Sequence, residues 1–446
     1  MTRLIIKNIG PISEIDIELT RLNIFIGPQS SGKSTIAKII SFCQWLEKDC
    51  VRHQKISHID KNFTEEAFVD YHNIRGYLNE SSYFLYESDI LSIEYSDSSL
   101  AVKREKEFRS ARVSKNAYIP AERNLISVPG IFQTKMPDNY ILSFLTDWKQ
   151  IRKEYSSSND ATAIVPTGDS YYYNEKNDED MLTLKDGKQL PLSQSSSGLQ
   201  SVTPLVVYVN YVTEWIYSHP EMVSADKKED VWEAALANVI DTTAETTLDK
   251  GVLDMLNDPE TPQNIADSFN RLLTAIRNSN SHLTLLGNDD EHGETTREVV
   301  RVRERLSKPS FSNLVIEEPE QNLFPQTQRM LIEFLLGKHN SDRDTMVITT
   351  HSPFVLYSIN NCMMAYLAAR NETSDMVNDI SNIPCQSFTD PEKVHVWELR
   401  DGCIENMEGK LNVTIQDNNG LIRDNYFDRV MNNVMCDFKN MLAFII

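Results

Sequence analysis

The start of the chain carries the clearest pattern of apolar and polar positions. Residues 4–19, LIIKNIGPISEIDIEL, alternate between the two kinds, which predicts strands with one buried face. The next stretch, Leu22–Gly27, reads LNIFIG and is typical of a strand that is buried on both faces. After Ser34 the apolar residues recur at helical spacing, as Ile36, Ile39, Ile40, Cys43 and Leu46. The pattern therefore predicts two or three strands followed directly by a helix.

Short apolar runs that end in polar groups predict further buried strands. These runs are AYIPAERN at 117–124, NLVIEE at 313–318, TMVITTH at 345–351 and VHVWELRDG at 394–402. The stretch MLTLKDGKQLPL, 181–192, predicts a hairpin with Asp186–Gly187 as its turn. Helical spacing predicts helices over 199–218 and 424–442.

Three other segments give weaker patterns. Residues 155–181 are rich in Ser, Tyr and Asp, which predicts a surface loop or a mobile insertion. Residues 225–306 are polar with mostly helical spacing, and they are the best candidate for a separate lobe. Residues 51–113 mix helix and strand signals, so the pattern does not divide them.

Length and composition indicate a globular protein of more than one subdomain. The chain has 446 residues, of which 40% are hydrophobic and 24% charged. No apolar run approaches the roughly 20 residues of a membrane-spanning helix, and the N-terminus has no secretory pattern. Six cysteines, none in a C-x-x-C pair, argue against a zinc site and favour reduced thiols in a cytoplasmic protein.

The formal net charge of −21 disfavours a protein that coats DNA nonspecifically, because phosphate neutralisation needs clustered Lys and Arg. Two basic stretches remain, VKREKEFRSAR at 102–112 and REVVRVRERLSK at 297–308. Solvated charged faces are the favoured interpretation of both. DNA is therefore not indicated as a partner by charge, although it stays open.

Candidate chemistry begins with the motif G-x-x-x-x-G-K-[ST], which Gly27–Ser34 matches in full. We call this segment the phosphate loop. Its glycines allow a tight wrap of backbone N–H groups around phosphate oxygens, and the helix that follows adds its N-terminal dipole. Lys33 is expected to reach the β- and γ-phosphates, and Ser34 to ligate Mg²⁺. The predicted strand before and helix after the motif argue against a chance glycine-rich turn.

A second motif, LVIEEPE, places two adjacent carboxylates where a buried strand ends. Ligands bind at that end of the strands in open α/β sheets. We expect Glu317 to hold Mg²⁺ and Glu318 to orient or deprotonate the attacking water. The alternative, an acidic cluster on a very acidic protein, is weakened by the phosphate loop in the same chain. Aspartate is usual at the magnesium position, so Glu317 makes slow hydrolysis an expectation.

Two further segments define the subclass. Leu192–Ser201, LSQSSSGLQS, resembles the signature loop of ABC-type ATPases, and we call it the signature segment. Its matching residues are Ser197, Gly198 and Gln200; a serine-rich helix cap is the alternative. VITTHSPFVL, 347–356, resembles the histidine switch of the same class, with His351 near the γ-phosphate. A lone histidine is usually structural, and the order of the four motifs along the chain favours the functional interpretation.

Together the motifs resemble those of ABC-type ATPases of the SMC, RecF and OLD group, not of transporter subunits. EEPEQNLFP at 317–325 and THSP at 350–353 are similar to the OLD-like and PtuA-like AAA ATPases of bacterial anti-phage defence. YIPAERN at 118–124 and the hairpin before SSGLQS also resemble that set. The likeness covers roughly the first 50 residues, 117–124, 181–205 and 311–356.

The resemblance implies an α/β fold, a P-loop NTPase of ABC-ATPase head type with a largely helical inserted lobe. Residues 1–50, 100–215 and 310–446 would form the split head. Residues 51–99 would be an insertion of mixed structure, and 216–309 the mainly helical lobe.

The resemblance also implies a nucleotide sandwich of two or more copies of this chain. Each ATP would lie between the phosphate loop of one subunit and the signature segment of another. The residues expected to bind ATP are Gly27, Pro28, Gln29, Ser30, Ser31, Gly32, Lys33, Ser34, Thr35, Ser197, Gly198, Gln200 and Asn322. Lys33, Glu318 and His351 are the expected catalytic residues, and Ser34 and Glu317 the Mg²⁺ ligands. The glutamine loop of the family is not assigned.

Three functions follow from these expectations. The first is a defence ATPase that controls an effector, for which a separate HNH or Toprim nuclease is expected because the tail after Tyr366 is too short for a Toprim domain. The second is a RecF- or SMC-like ATPase of DNA repair or chromosomes, which needs a basic surface from Arg297, Arg301, Arg303 and Arg305. A nucleotide-bound scaffold with little turnover, suggested by Glu317, is the third.

Overall fold

The computed structural model describes residues 2–56, 59–156, 161–218, 231, 234–235, 238, 300–339, 343–371, 374–406, 408–442 and 444. The expected helical lobe at 216–309 therefore lies largely outside the described residues. Among the described helices, none combines the length and the apolar composition that a membrane span requires.

The strands expected within 4–27, 117–124, 313–318, 345–351 and 394–402 are present. The described strands are β1 Thr2–Ile9, β2 Ile12–Leu19, β3 Leu22–Ile26, β4 Tyr83–Glu87, β5 Leu91–Ser96, β6 Ser99–Arg104, β7 Ser114–Ile119, β8 Thr162–Ile164, β9 Asp169–Asn174, β10 Glu179–Thr183, β11 Gln189–Pro191, β12 Phe311–Glu317, β13 Thr345–Thr349, β14 Val394–Arg400 and β15 Cys403–Ile404.

The helices flank this sheet structure on both sides. The described α-helices are α1 Lys33–His53, α2 Lys61–Thr64, α3 Tyr140–Ile151, α4 Ser197–Asn210, α5 Ile216–Ser218, α6 Pro325–Lys338, α7 Pro353–Ala368, α8 Ser374–Ser381 and α9 Tyr426–Leu442. A 3₁₀ helix, Ala121–Ser127, follows β7, and a π-helical turn, Tyr211–Trp215, joins α4 to α5. The predicted helix over 199–218 is thus confirmed as a nearly continuous helical segment.

Eleven of the described strands form one mixed sheet in the order β6-β5-β4-β1-β2-β15-β14-β3-β13-β12-β7. Strands β14, β3, β13, β12 and β7 run parallel, whereas β6, β5, β4, β1 and β2 pair antiparallel. Residues 83–104, within and just beyond the expected 51–99 insertion, extend the edge of this sheet. The predicted α/β fold class is confirmed, with the phosphate loop between a buried strand and a helix.

The parallel strands bring four loops of distant sequence to one edge. Every residue of β3 is buried, and α1 packs its apolar face against the same sheet. The loops after β3, β7, β12 and β13 all leave the carboxyl ends of neighbouring parallel strands, where ligands bind in open α/β sheets. This edge therefore carries the phosphate loop, the YIPAERN segment, the paired glutamates and His351.

The prediction of a surface loop or mobile insertion at 155–181 is wrong for the described part of that segment. Strands β8, β9 and β10 pair with β11 in a second, antiparallel sheet. The segment DSYYYN alternates, so that Tyr171 and Tyr173 are buried while Ser170, Tyr172 and Asn174 are only partly buried. Its Ser- and Asp-rich composition concealed this period of two. The hairpin with a turn at Gly187, φ +83°, is confirmed.

Trp148 and Phe438 should respond very differently to truncation. Trp148 is 0% exposed and packs its ring 5.6 Å from that of Tyr171, whereas Phe438 on α9 is 54% exposed. Trp148→Ala should lower the free energy of unfolding by about 3–5 kcal/mol, because it leaves a cavity. Phe438→Ala should change it by less than about 0.5 kcal/mol. Denaturant unfolding followed by circular dichroism measures both; equal losses would contradict the packing of the second sheet on the head.

Candidate nucleotide-binding site

The phosphate loop is a closed turn between β3 and α1. Gly27 has φ +146° and Gly32 has φ +103°, conformations that L side chains rarely adopt. A Cβ atom added to Gly27 would lie 2.4 Å from the carbonyl oxygen of Leu399, so the site also excludes a side chain sterically. These two glycines let the loop wrap tightly enough to point its backbone N–H groups inward.

Lys33 is held inside this loop. Its ammonium donates to the carbonyl oxygens of Gly27 at 3.0 Å and Pro28 at 2.7 Å, and to Ser31 Oγ at 3.3 Å. Burial lowers the pKa of Lys33 to about 8, and the carboxylates of Glu318 and Glu320 oppose this shift. The cation is therefore partly desolvated and surrounded by acceptors that a phosphate could replace.

Glu317 lies at the buried end of β12 and is 5% exposed. Burial raises its pKa, and the neighbouring Ser34 hydroxyl and Lys38 ammonium oppose the rise. Its Oε1 atom is buried and has no hydrogen-bond partner among the described residues. An unpaired carboxylate oxygen beside a hydroxyl suits Mg²⁺, which prefers oxygen ligands. The residues predicted to hold magnesium thus lie together and fit the ion.

No cluster of three or more His, Cys, Asp or Glu suited to a metal occurs among the described residues. A Mg²⁺ ion held by Ser34 and Glu317 would therefore depend on the phosphates of a nucleotide for further ligands, as is common for this ion.

Glu318 and His351 face each other across the edge of the sheet. His351 Nε2 lies 3.4 Å from Glu318 Oε1. This contact is the main cause of a lowered pKa for Glu318, with smaller contributions from Lys33 and Arg123. Glu318 is therefore ionised at neutral pH and can accept a hydrogen bond from water. Its backbone has φ +44°, a left-handed conformation that is disfavoured for a residue with a Cβ atom.

A single open cavity of about 1030 Å³ collects most of the predicted site. It is lined by the predicted residues Gln29, Ser30, Ser31, Gly32, Lys33, Ser34, Thr35, Glu318, Asn322 and His351. Gly27 and Pro28 contribute through the carbonyl oxygens that accept from Lys33. Tyr77 also lines the cavity; this residue is 47% exposed and carries an aromatic ring on which a nucleobase can stack.

The signature segment does not line this cavity. Ser196 caps α4 by accepting from the N–H of Leu199, and Ser197 in the first turn is exposed. Gln200 Nε2 donates to the carbonyl oxygens of Ser193 and Ser195, which fixes the turn before the helix. A Cβ atom added to Gly198 would lie 3.0 Å from the carbonyl oxygen of Asn322 in the same chain. The segment thus lies behind Asn322, next to the wall of the cavity, without lining the cavity itself.

Glu320 and Arg123 belong to the site and were not predicted. Glu320 lines the cavity, and its Oε1 accepts from the backbone N–H of His351 at 2.6 Å, so it joins the two loops. Arg123, within the YIPAERN segment, is 0% exposed and lies beneath both glutamates. The third acid in EEPE could have indicated Glu320, whereas nothing in the local sequence indicates the partners of Arg123.

Residues 301–356 match the family model of an AAA ATPase domain. This segment contains Glu317, Glu318 and His351 but does not include the phosphate loop. No curated protein shows significant sequence similarity to the chain.

Three solved structures are similar to the chain in outline. The SMC head domain from Thermotoga maritima is 10% identical with a TM-score of 0.32, over 80% of this chain and 90% of that one. The Smc head domain with an extended coiled coil bound to the C-terminal domain of ScpA, derived from Pyrococcus furiosus, is 8% identical with a TM-score of 0.33, over 80% and 92%. The recombination mediator RecF-ATPrS of the RecFOR pathway is 10% identical with a TM-score of 0.27, over 90% and 96%. At these scores the likeness is slight, and the assignment of the site rests on its contacts.

Proposed function

We propose that the chain binds and hydrolyses ATP with Mg²⁺, assembles through nucleotide sandwiches, and controls a partner nuclease in anti-phage defence. The observation that carries the ATPase assignment is the convergence of the phosphate loop, Glu318 and His351 on one cavity. These groups lie up to 324 positions apart in the sequence, from Gly27 to His351, and the fold brings them to one cavity.

In this proposal the chain's own residues divide the work. The phosphate loop and Lys33 bind the β- and γ-phosphates, with Lys33 exchanging its carbonyl partners for phosphate oxygens. Ser34 and Glu317 hold Mg²⁺, which when bound neutralises charge on the phosphates. Glu318, ionised and hydrogen-bonded by His351, orients the attacking water and accepts its proton.

The exposed position of Ser197 supports a site that is shared between two chains. The signature segment does not line the cavity of its own chain, and Ser197 is exposed, so a second chain can approach it. The first turn of α4 offers backbone N–H groups to an anion. Replacing Gly198 would be a poor test of this idea, because any side chain there meets Asn322 within the same chain.

Ser197→Arg tests the shared site directly. The cation should block a neighbouring γ-phosphate position and abolish hydrolysis, while a fluorescent ATP analogue still binds one chain. Asn177→Arg, which places the same cation on an exposed turn of the second sheet, should hydrolyse ATP like the wild type.

Mixing two inactive variants sharpens this test. In a symmetric dimer, Ser197→Arg and Lys33→Ala leave one intact site in each mixed pair, so the mixture should regain about a quarter of wild-type activity. A mixture that stays inactive, or a Ser197→Arg chain that hydrolyses ATP alone, would contradict the sandwich.

The role in defence rests on the resemblance of EEPEQNLFP and THSP to the OLD-like and PtuA-like ATPases. A gene for an HNH or Toprim nuclease beside this one would support it. The basic surface that the DNA-repair alternative needs is reduced at Arg305, whose guanidinium donates to the carbonyl oxygen of Arg109 at 2.6 Å.

A further inference from the structure

A buried guanidinium lies directly behind the paired glutamates. Arg123 belongs to the 3₁₀ helix that follows β7, and it is 0% exposed. Its hydrogen bonds run to five main-chain carbonyl oxygens: Pro120 at 3.2 Å, Ser201 at 3.1 Å, Glu317 at 2.8 Å, Glu318 at 2.7 Å and Pro319 at 3.3 Å. Burial lowers its pKa to about 10, and nearby glutamates oppose this shift, so the group remains charged at neutral pH.

Three of these acceptors are consecutive and centre on Glu318. The backbone of Glu318 has φ +44°, a conformation that persists only where the surroundings enforce it. Arg123 bonds the carbonyl oxygens of Glu317, Glu318 and Pro319, and the N–H of Glu318 donates to Thr349 at 2.9 Å. The direction of the Glu318 carboxylate therefore depends on the hydrogen bonds that Arg123 donates to the main chain of residues 317–319.

The same side chain reaches helix α4. Arg123 Nε donates to the carbonyl oxygen of Ser201, in the helix that begins at Ser197. Pro204 lies inside this helix and has no N–H, so the carbonyl oxygen of Gln200, next to Ser201, lacks its helical donor. One planar guanidinium thus joins the loop that bears Glu318 to the helix that bears the signature segment.

We infer that Arg123 is a positioning residue for ATP hydrolysis, which aims Glu318 and fixes the helix of the signature segment against it. The inference rests on the proposed function. A lysine cannot reproduce this arrangement, because its three donors share one atom whereas the five N–H groups of arginine spread across a plane.

Arg123→Lys is the primary test, with Arg152→Lys as the matched control. Arg152 is 6% exposed and pairs with Asp178 at 2.5 Å in the second sheet, away from the cavity. We expect Arg123→Lys to lower kcat about 10²-fold, with ATP affinity changed by less than about threefold, because a small misplacement near the reacting groups has this effect. Arg152→Lys should lower the melting temperature about as much as Arg123→Lys does, but it should leave kcat unchanged.

A double variant separates positioning from general damage. If Arg123 acts through Glu318, adding Arg123→Lys to Glu318→Gln should lower kcat by less than about threefold further, since the two residues act as a unit. A purely structural role predicts that the two losses multiply. Arg123→Gln, which keeps a planar NH₂ donor, serves as the second variant if the lysine variant fails to fold.

The experiments separate failure of the positioning role of Arg123 from failure of the proposed ATPase function. Two results would overturn the positioning role alone, provided that the wild-type chain hydrolyses ATP. In the first, Arg123→Lys keeps the wild-type kcat. In the second, the losses of kcat from Arg123→Lys and Glu318→Gln multiply in the double variant. A wild-type chain without Mg²⁺-dependent ATPase activity would overturn both this inference and the proposed function.

Discussion

Glu318→Gln should yield a chain that still holds ATP but hydrolyses it about 10²–10⁴ times more slowly than the wild type. The substitution keeps the shape of the side chain and removes the charge beside His351 that we propose orients the attacking water. Ser34 and Glu317 would still hold Mg²⁺, so the nucleotide should keep the assembly closed. Size-exclusion chromatography with light scattering, with and without ATP and Mg²⁺, should show a persistent ATP-dependent dimer or larger assembly.

Glu317→Gln is the matched control for this experiment, because it makes the same change at the adjacent residue. The amide would leave Ser34 as the only predicted protein ligand of Mg²⁺, so metal retention should weaken and the ATP-dependent assembly should be lost. Identical behaviour of the two variants would refute their separate roles and favour a nucleotide-bound scaffold with little turnover.

Lys33→Ala should weaken ATP binding by about 10–100-fold, the range expected for one lost hydrogen-bonded charge. Because burial lowers the pKa of Lys33 to about 8, the free loop loses its cation as the pH rises through this value. Binding of ATP restores the charged form, so protons are taken up on binding and the affinity of the wild type should fall above about pH 8.

Equilibrium titration of a fluorescent ATP analogue at several pH values measures both effects. Lys7→Ala, which removes an exposed lysine paired with Glu14 at 2.7 Å, should bind ATP like the wild type. An unchanged affinity in Lys33→Ala would refute the phosphate-loop assignment, and an affinity independent of pH would refute the linkage to Lys33.

Local patterns predicted much of the head. The strand, phosphate loop and helix over residues 22–53 depend on neighbours in sequence, so their spacing was sufficient. The buried strands β12 and β13 were visible as apolar runs that end in functional groups. Segment 155–181 was missed because its tyrosines, which bury alternate positions of β9, lie among residues whose composition is typical of loops.

Arg123 could not be predicted for a different reason. Its acceptors are carbonyl oxygens, which every residue carries, and they lie 78 to 196 positions away apart from that of Pro120. No side-chain pattern reports such partners, so only the fold reveals them. The contact of Gly198 with Asn322 was hidden in the same way.

That contact would make neighbouring nucleotide sites interdependent. Asn322 belongs to the wall of one cavity, and Gly198 belongs to the segment that a second chain would receive. A shift of Asn322 on nucleotide binding would therefore move the surface presented to the next site. By thermodynamic reciprocity, occupancy of either site would then alter the affinity of the other equally. Binding of ATP to the assembly would be cooperative, with the sign set by whether the filled cavity pushes Gly198 toward or away from its neighbour.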